Sequence, residues 1–339
     1  MQTNSNKQII LAERPTGMPD SDTFAFVDGN IPNINDKEVL IRTLYVSVDP
    51  YMRGRMIDAK SYIPPFKVKE VIEGGVIGEI VKSNSEKFKV GDKVFGNLGW
   101  QEYSVANEQA IRKVDPSLAP LTAYLGILGL TGLTAYFGLL DIGQPKEGET
   151  VVVSGAAGAV GSTVGQIAKI KGARVVGIAG STEKIQFLKD TLGFDEAINY
   201  KTENVDEALA KTCPNGVDVY FDNVGGAISD AVLHHINDFA RIPVCGAIST
   251  YNNTERDIGE RVQTTLIKTR ALMKGFIVSD YSDRFNEATQ QLGKWLQAGK
   301  LHDEETIVEG FDQIPAAFIG LFKGMNRGKL IVKVADSTK

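Results

Sequence analysis

Eleven residues, Val151-Val-Val-Ser-Gly-Ala-Ala-Gly-Ala-Val-Gly161, limit the fold of this chain more than any other stretch. Three β-branched residues run into a turn of small ones. Val160, Val164, Ile167 and Ala168 then recur at helical spacing, so the following helix has one apolar face. Strand, tight loop and helix form the first βα unit of a nucleotide-binding sheet. Glycines tolerate positive φ and let a phosphate approach the backbone without meeting a Cβ. The helix start offers unpaired N–H groups and the positive end of its dipole. Candidate phosphate contacts are therefore Gly155, Ala157, Gly158, Ala159 and Val160. Ala157 occupies the middle position, so the run departs from strict G-x-G-x-x-G, and a tight turn without a ligand remains the competing reading.

Downstream, strand and helix alternate. Arg174–Ala179, Ala197–Tyr200, Val217–Asp222, Phe239–Cys245 and Met273–Val278 read as the second to sixth strands. Ser181 is placed to cap a helix whose stripe is Ile185, Leu188 and Leu192, with Gly193 at its end. Such alternation predicts a doubly wound parallel sheet of the Rossmann type. Upstream, Glu38–Ser47, Gly75–Lys82 and Asp92–Phe95 read as short strands joined by polar turns, with Gly91-Asp92 as a tight turn, which suggests a small β-rich barrel. The reading is α/β with three stretches: 1–125 barrel, 126–300 dinucleotide-binding, and 301–339 returning to the barrel. The helix from about Asp283 to Ala298 is expected to carry the chain back, followed by a helix from Ile314 to Met325.

The run from Leu121 to Leu140 holds no charge and is long enough to span a bilayer, but four glycines and three threonines dilute it. A buried helical pair broken near Gly132-Leu-Thr134 is expected, and no membrane span. The net charge of -5 gives no reason to expect nucleic acid. The N-terminus lacks an apolar signal segment, so a cytoplasmic protein is expected.

In an NAD-binding unit an acid at the end of the second strand holds the ribose 2′-hydroxyl. Here that strand ends Ile178-Ala-Gly-Ser-Thr182 with no acid. A small tip at Gly180, Lys184 just beyond it and Tyr200 ending the next strand suit a 2′-phosphate, which favours NADPH. Lys184 as an ordinary solvated helix lysine is the alternative.

These features resemble the medium-chain dehydrogenase/reductase superfamily across nearly the whole chain. Gly75–Val81 with Phe88–Gly96 is similar to its GroES-like domain, and Val152–Ser162 to its cofactor loop. Ser47-Val-Asp-Pro-Tyr-Met-Arg53, Gly129–Gly138, Asp222-Asn-Val-Gly-Gly226, Cys245–Asn252 and Met325–Leu330 resemble the prostaglandin reductase, leukotriene dehydrogenase and plant double-bond reductase branch, with its curcumin-reductase-like bacterial members. The resemblance implies NADPH-dependent reduction of the carbon–carbon double bond of enones and enals by a homodimer. Zinc members use Cys, His and Glu. This chain has no cysteine before Cys213, and its three histidines, His234, His235 and His302, fall late, so no metal is expected.

Hydride addition to the β-carbon would build negative charge on the carbonyl oxygen, and something must donate to it. Tyr251 is the expected donor, because the resemblance places its counterpart near the substrate carbonyl. A nicotinamide ribose hydroxyl competes for that role, and Tyr251 could instead only shape the pocket. Tyr51 is expected to close over the nicotinamide. Asn223 follows the fourth strand, and Cys245 and Ser249 follow the fifth, where they can line the groove. Phe276, Ile277 and Val278 are expected to end the sixth strand and to offer backbone groups to the carboxamide. The resemblance adds Asn326. The apolar loop Tyr62, Ile63, Pro64 and Phe66 is read as a pocket wall. The competing functions are a zinc-free quinone reductase and a non-catalytic NADPH-binding protein.

Overall fold

The computed structural model describes residues 5–338, and the chain divides into two units. One comprises residues up to Leu125, Thr306–Asn326 and Leu330 onward. The other comprises Gly126–Glu305 and Arg327–Lys329.

The second unit holds a six-stranded parallel sheet. In chain order its strands are Thr150–Ser154, Arg174–Ala179, Glu196–Asn199, Val217–Phe221, Ile236–Val244 and Leu272–Gly275. In space they run third, second, first, fourth, fifth, sixth. The order reverses between the first and fourth strands, whose carboxyl ends make the crevice where doubly wound folds bind ligands. Strands covered on both faces read as unbroken apolar runs rather than alternating ones. Val151, Val152 and Val153 are accordingly all fully buried. Each such side chain contributes about 1.5–3 kcal/mol relative to exposure.

Four expected elements differ. The uncharged run forms a short 3-10 turn, Leu121–Leu125, in the first unit and a helix, Leu130–Phe137, in the second. The break falls at 126–129, before Gly132. That glycine lies inside the helix, where a Cβ would come 1.8 Å from the Ile127 carbonyl oxygen. The sixth strand stops at Gly275, so Phe276, Ile277 and Val278 lie past its end instead of forming it. Gly275 is the partner of Val244, where the fifth strand ends, and Gly246 beyond it turns its N–H to the Asp222 carbonyl on the fourth strand's side. No strand therefore continues beside Ile277. The helix Phe285–Gln297 does not lead back to the first unit. It stays on the second, packing on Leu130–Phe137 through Tyr136, whose ring lies 6.2 Å from that of Trp295. The last helix ends at Phe322, because Lys323 and Gly324 turn the chain back. Among the described residues no helix is long and apolar enough to cross a membrane.

The first unit is built on an antiparallel sheet. Its longest pairing joins Glu38–Ser47 to Glu73–Ser83, which then pairs with Lys93–Gly99 through a turn at Gly91 (φ +92°). Strand Lys329–Lys333 pairs with the end of Glu38–Ser47. The core centres on Trp100, stacked on Phe24 at 6.1 Å and met edge-on by Phe318 at 6.0 Å. Phe318 arrives from the late segment, which makes that segment part of this core.

Glu79 ties the C-terminal tail to this sheet. Its carboxylate is 3% exposed and accepts from Arg42 at 2.9 Å, Lys93 at 2.8 Å, the Thr338 N–H at 3.1 Å and the Thr338 hydroxyl. Burial opposes its ionisation, but the bonds from Lys93, Thr338 and Arg42 outweigh burial and lower it to about 2. A depressed carboxylate contributes stability that is complete above its unfolded value near 4.5 and is lost as pH falls toward 2. Glu79→Gln should cost about 3 kcal/mol at neutral pH by urea denaturation, since it leaves two half-buried cations short of a buried anion. The deficit relative to the parent should shrink between pH 4.5 and 2.

Candidate active site

The crevice of the second unit is held open by hydrogen bonds at its floor. Asp222 ends the apolar fourth strand and is 3% exposed. Its Oδ1 accepts from the Tyr220 hydroxyl at 2.8 Å, the Ser154 hydroxyl at 3.1 Å, and the N–H groups of Val224 and Gly225 at 3.0 and 2.9 Å. Asn223 donates its Nδ2 to the Ser154 carbonyl at 2.8 Å. The loops after the first and fourth strands are thus fixed to each other. The loop after the fifth joins them: Cys245 and Gly246 donate backbone N–H to the Asp222 carbonyl at 2.8 and 3.2 Å, and Ser249 donates N–H and hydroxyl to the Val224 carbonyl at 3.1 and 2.6 Å.

The glycine loop lies on the first strand's side. Gly155 has φ +59°, and a Cβ on Gly161 would lie 2.4 Å from the Gly155 carbonyl oxygen. Both positions need glycine, one for conformation and one for space. The Gly158 N–H is spent on Gly155 at 3.0 Å, so Gly158 supplies room and turn geometry rather than a donor. Ala159 and Val160 are in the first turn of the helix Ala159–Ile170, where N–H groups have no intrahelical acceptor. The Ala157 carbonyl accepts from the Gly328 N–H at 2.8 Å, which brings Arg327–Lys329 against the loop. Asn326 immediately precedes that segment.

At the end of the second strand Ser181 caps the following helix, accepting from the Lys184 N–H at 3.3 Å. Tyr200, just past the third strand, lies against Gly180, where a Cβ would meet its ring and hydroxyl at 2.7–2.9 Å. Burial, then the nearby charge of Lys201, lowers the affinity of Lys184 for its proton. Gly180, Lys184 and Tyr200 therefore share one edge of the crevice.

Tyr251 stands beyond the fifth strand. Its hydroxyl oxygen accepts from the Ala247 N–H at 3.3 Å and lies over Gly246. Burial first, and the Cys245 and Asp222 side chains after it, raise its pKa, so the phenol stays protonated and can donate. Past the sixth strand, Phe276 and Val278 are buried, and Phe276 packs edge-on against Phe221 at 6.3 Å. Ile277 between them is half-buried and extended (φ −122°, ψ 131°). Its carbonyl accepts from the Asp280 N–H at 3.0 Å, which fixes the backbone where it leaves the sheet. The three residues thus reach the strand's carboxyl end as a tethered loop, and their backbone is what they can offer there.

In the first unit Tyr51 opens the short helix Tyr51–Arg55 and packs against the core, and burial followed by Asp49 raises its pKa. Arg53 holds the chain at Pro15 and Gly17 through their carbonyls. The Pro64 carbonyl accepts from Arg55, whose guanidinium lies 3.9 Å over the Phe66 ring. Among the described residues no group of three or more His, Cys, Asp or Glu could hold a metal ion.

Ser154 and Asp222 are not among the site residues expected from the sequence. Their signal is an acid directly after the apolar run Val219-Tyr-Phe221, which must be buried and therefore must collect donors.

A profile described as "N-terminal domain of oxidoreductase" matches residues 7–114, and one described as "Zinc-binding dehydrogenase" matches residues 159–294. The NADPH-dependent curcumin reductase of Escherichia coli (strain K12) is 44% identical over 98% of both chains. This chain belongs to the zinc-free branch of the medium-chain dehydrogenase/reductase family. Another family member, the NADP+-dependent 2-alkenal reductase of Nicotiana tabacum, is 42% identical over 98% of both chains. The crystal structure of CurA from Vibrio vulnificus in complex with NADPH superposes on this family fold with a TM-score of 0.93 at 47% identity, covering 97% of this chain and 99% of that one.

Within this family frame Cys245 is a structural thiol. Burial first, then the Asp222 carboxylate, pushes it up to about 12, and burial also raises Cys213. Neither thiolate is populated at neutral pH. Ellman's reagent should find almost no fast thiol in the native chain at pH 8, and two after denaturation.

Proposed function

We propose that this chain reduces the carbon–carbon double bond of α,β-unsaturated ketones and aldehydes with NADPH. The observation that carries the reading is Tyr251, a phenol kept protonated, with its oxygen steadied by a backbone N–H, beside a crevice floored for a dinucleotide. The named activities of the curcumin and alkenal reductases support the same class. The crevice fits the cofactor: Gly155 and Gly161 leave room at the loop, Ala159 and Val160 present N–H groups, and Gly180, Lys184 and Tyr200 form an edge for the 2′-phosphate with no acid at the strand's tip. Asn223, Cys245, Ser249, the backbone of Phe276, Ile277 and Val278, and Asn326 complete the cofactor set. The second unit is then the NADPH domain.

When bound, the cofactor supplies a hydride to the β-carbon. The chain's own part is electrostatic. Electron density moves to the carbonyl oxygen, and the Tyr251 O–H donates to that oxygen as it becomes an enolate. The α-carbon then takes a proton, which leaves the saturated carbonyl compound. A neutral phenol donor adds no competing charge to the site.

Purified chain should oxidise NADPH with 4-phenyl-3-buten-2-one and form the saturated ketone. Turnover of a small quinone alone would move it to the quinone reductases, and tight NADPH binding without turnover of either would favour a binding protein. Tyr251→Phe should lower kcat/KM for the enone about a hundredfold with little change in NADPH affinity. Because the Tyr251 pKa is raised, the parent should show no loss of its donor up to about pH 9.

We also propose a homodimer formed through the sixth strand. Its outer edge has no partner strand among the described residues, and large apolar side chains flank it: Leu272 is 50% exposed and Ile267 77%. An uncovered strand edge with apolar flanks favours pairing with a second copy. Leu272→Glu with Ile267→Glu should halve the mass measured by light scattering. The two free thiols suit a reducing compartment such as the cytoplasm.

A further inference from the structure

A second lysine shares the edge of the crevice at Gly180. In the parallel pairing of the second and third strands, Ala179 stands opposite Asn199, and the Tyr200 N–H donates to the Ala179 carbonyl at 3.1 Å. The next residues along each strand are Gly180 and Tyr200, in ring contact. The residues after them, Ser181 and Lys201, follow at the same end of the sheet. The Lys201 backbone is fixed, since its N–H donates to the Asn199 Oδ1 at 3.1 Å. Its side chain is exposed. Lys184 comes to this place from the helix capped by Ser181, and burial first, with the charge of Lys201 after it, lowers its affinity for a proton.

Two acids stand near this edge, and each already accepts hydrogen bonds from the chain. The Glu203 carboxylate accepts the Asn199 N–H at 2.7 Å, and Glu183 turns to the Ser181 hydroxyl and its own backbone. Two like charges brought together cost stability. A phosphomonoester, carrying about -1.5 to -2 charges at neutral pH, matches two lysines better than one. The Tyr200 ring and hydroxyl lie between the two lysines in sequence and on the same edge.

We propose that Lys201 is a specificity-determining residue, the second cation of a 2′-phosphate site built with Lys184 and Tyr200. The inference rests on the NADPH reading and adds a residue to it. The alternative is an exposed lysine solvated like any other, and binding distinguishes the two without turnover.

Full-length chain would be titrated calorimetrically with NADP+, NAD+, adenosine 2′,5′-bisphosphate and 5′-AMP. Lys201→Gln should weaken NADP+ and the bisphosphate by about three- to tenfold. NAD+ and 5′-AMP should stay within about twofold, and Lys201→Arg should keep most of the preference. Equal weakening of all four ligands would show a merely structural role and overturn the proposal. So would a Lys201→Gln variant that keeps the parent's full preference for NADP+. A parent chain without that preference would overturn the NADPH reading itself, and the phosphate site with it.

Discussion

The Asp222 carboxylate is the contact on which the crevice depends. It ends a buried strand at the point where the strand order reverses, and it is too far from water to be solvated. One of its oxygens gathers a phenol, a serine hydroxyl and two backbone N–H groups. A buried charge is tolerated only when it is saturated with donors in this way. The same donors are the parts that must be held still: Ser154 begins the glycine loop, and Val224 and Gly225 lead into the next helix. The Asp222 carbonyl then receives Cys245 and Gly246, which carries the order on to the loop bearing Tyr251. Removal of this one anion would loosen three loops at once.

Around that floor, charge and neutrality are distributed with a chemical logic. Tyr251 is raised by burial and stays a donor. Cys245, pushed up to about 12 by burial and then by Asp222, is kept from being a nucleophile. The end of the second strand has no carboxylate of its own, and cations gather beside it. An anion is therefore welcome at one edge, while a neutral donor waits where charge would form. This separation suits a reaction that binds a phosphate tightly and develops an oxyanion only in passing.

Much of this was legible in the chain. Consecutive valines at 151–153 declare a strand buried on both faces, and the small residues after them declare a tight turn. The missing acid after Ala179 and the capping Ser181 were equally readable, as these are local matters of spacing and side-chain chemistry. Elements that depend on remote packing were harder. Gly132 looked like a breaker, yet it sits inside a helix because Ile127 presses against it. Ile277 looked like the end of a strand, but its apolar run outlasts the neighbour it would pair with, since Gly246 has already turned to Asp222. The helix at 285–297 looked like a connection between units, but Tyr136 and Trp295 keep it on the sheet's own side.

By itself the sequence determined the alternation of strand and helix, the class of the sheet, the late position of every histidine, and an uncharged tip where an acid would select NAD. Each follows from periodicity or residue type, which neighbours in the chain can express. Only the tertiary structure decided that Asp222 would be the hub, that Ala247 would steady the Tyr251 oxygen, and that Lys201 would stand with Lys184. The hub joins residues of two strands far apart in sequence, the two lysines come from a helix and from the turn after another strand, and the Tyr251 contact depends on the loop that the hub holds. Their energies depend on distance and burial, and a linear pattern of side chains records neither.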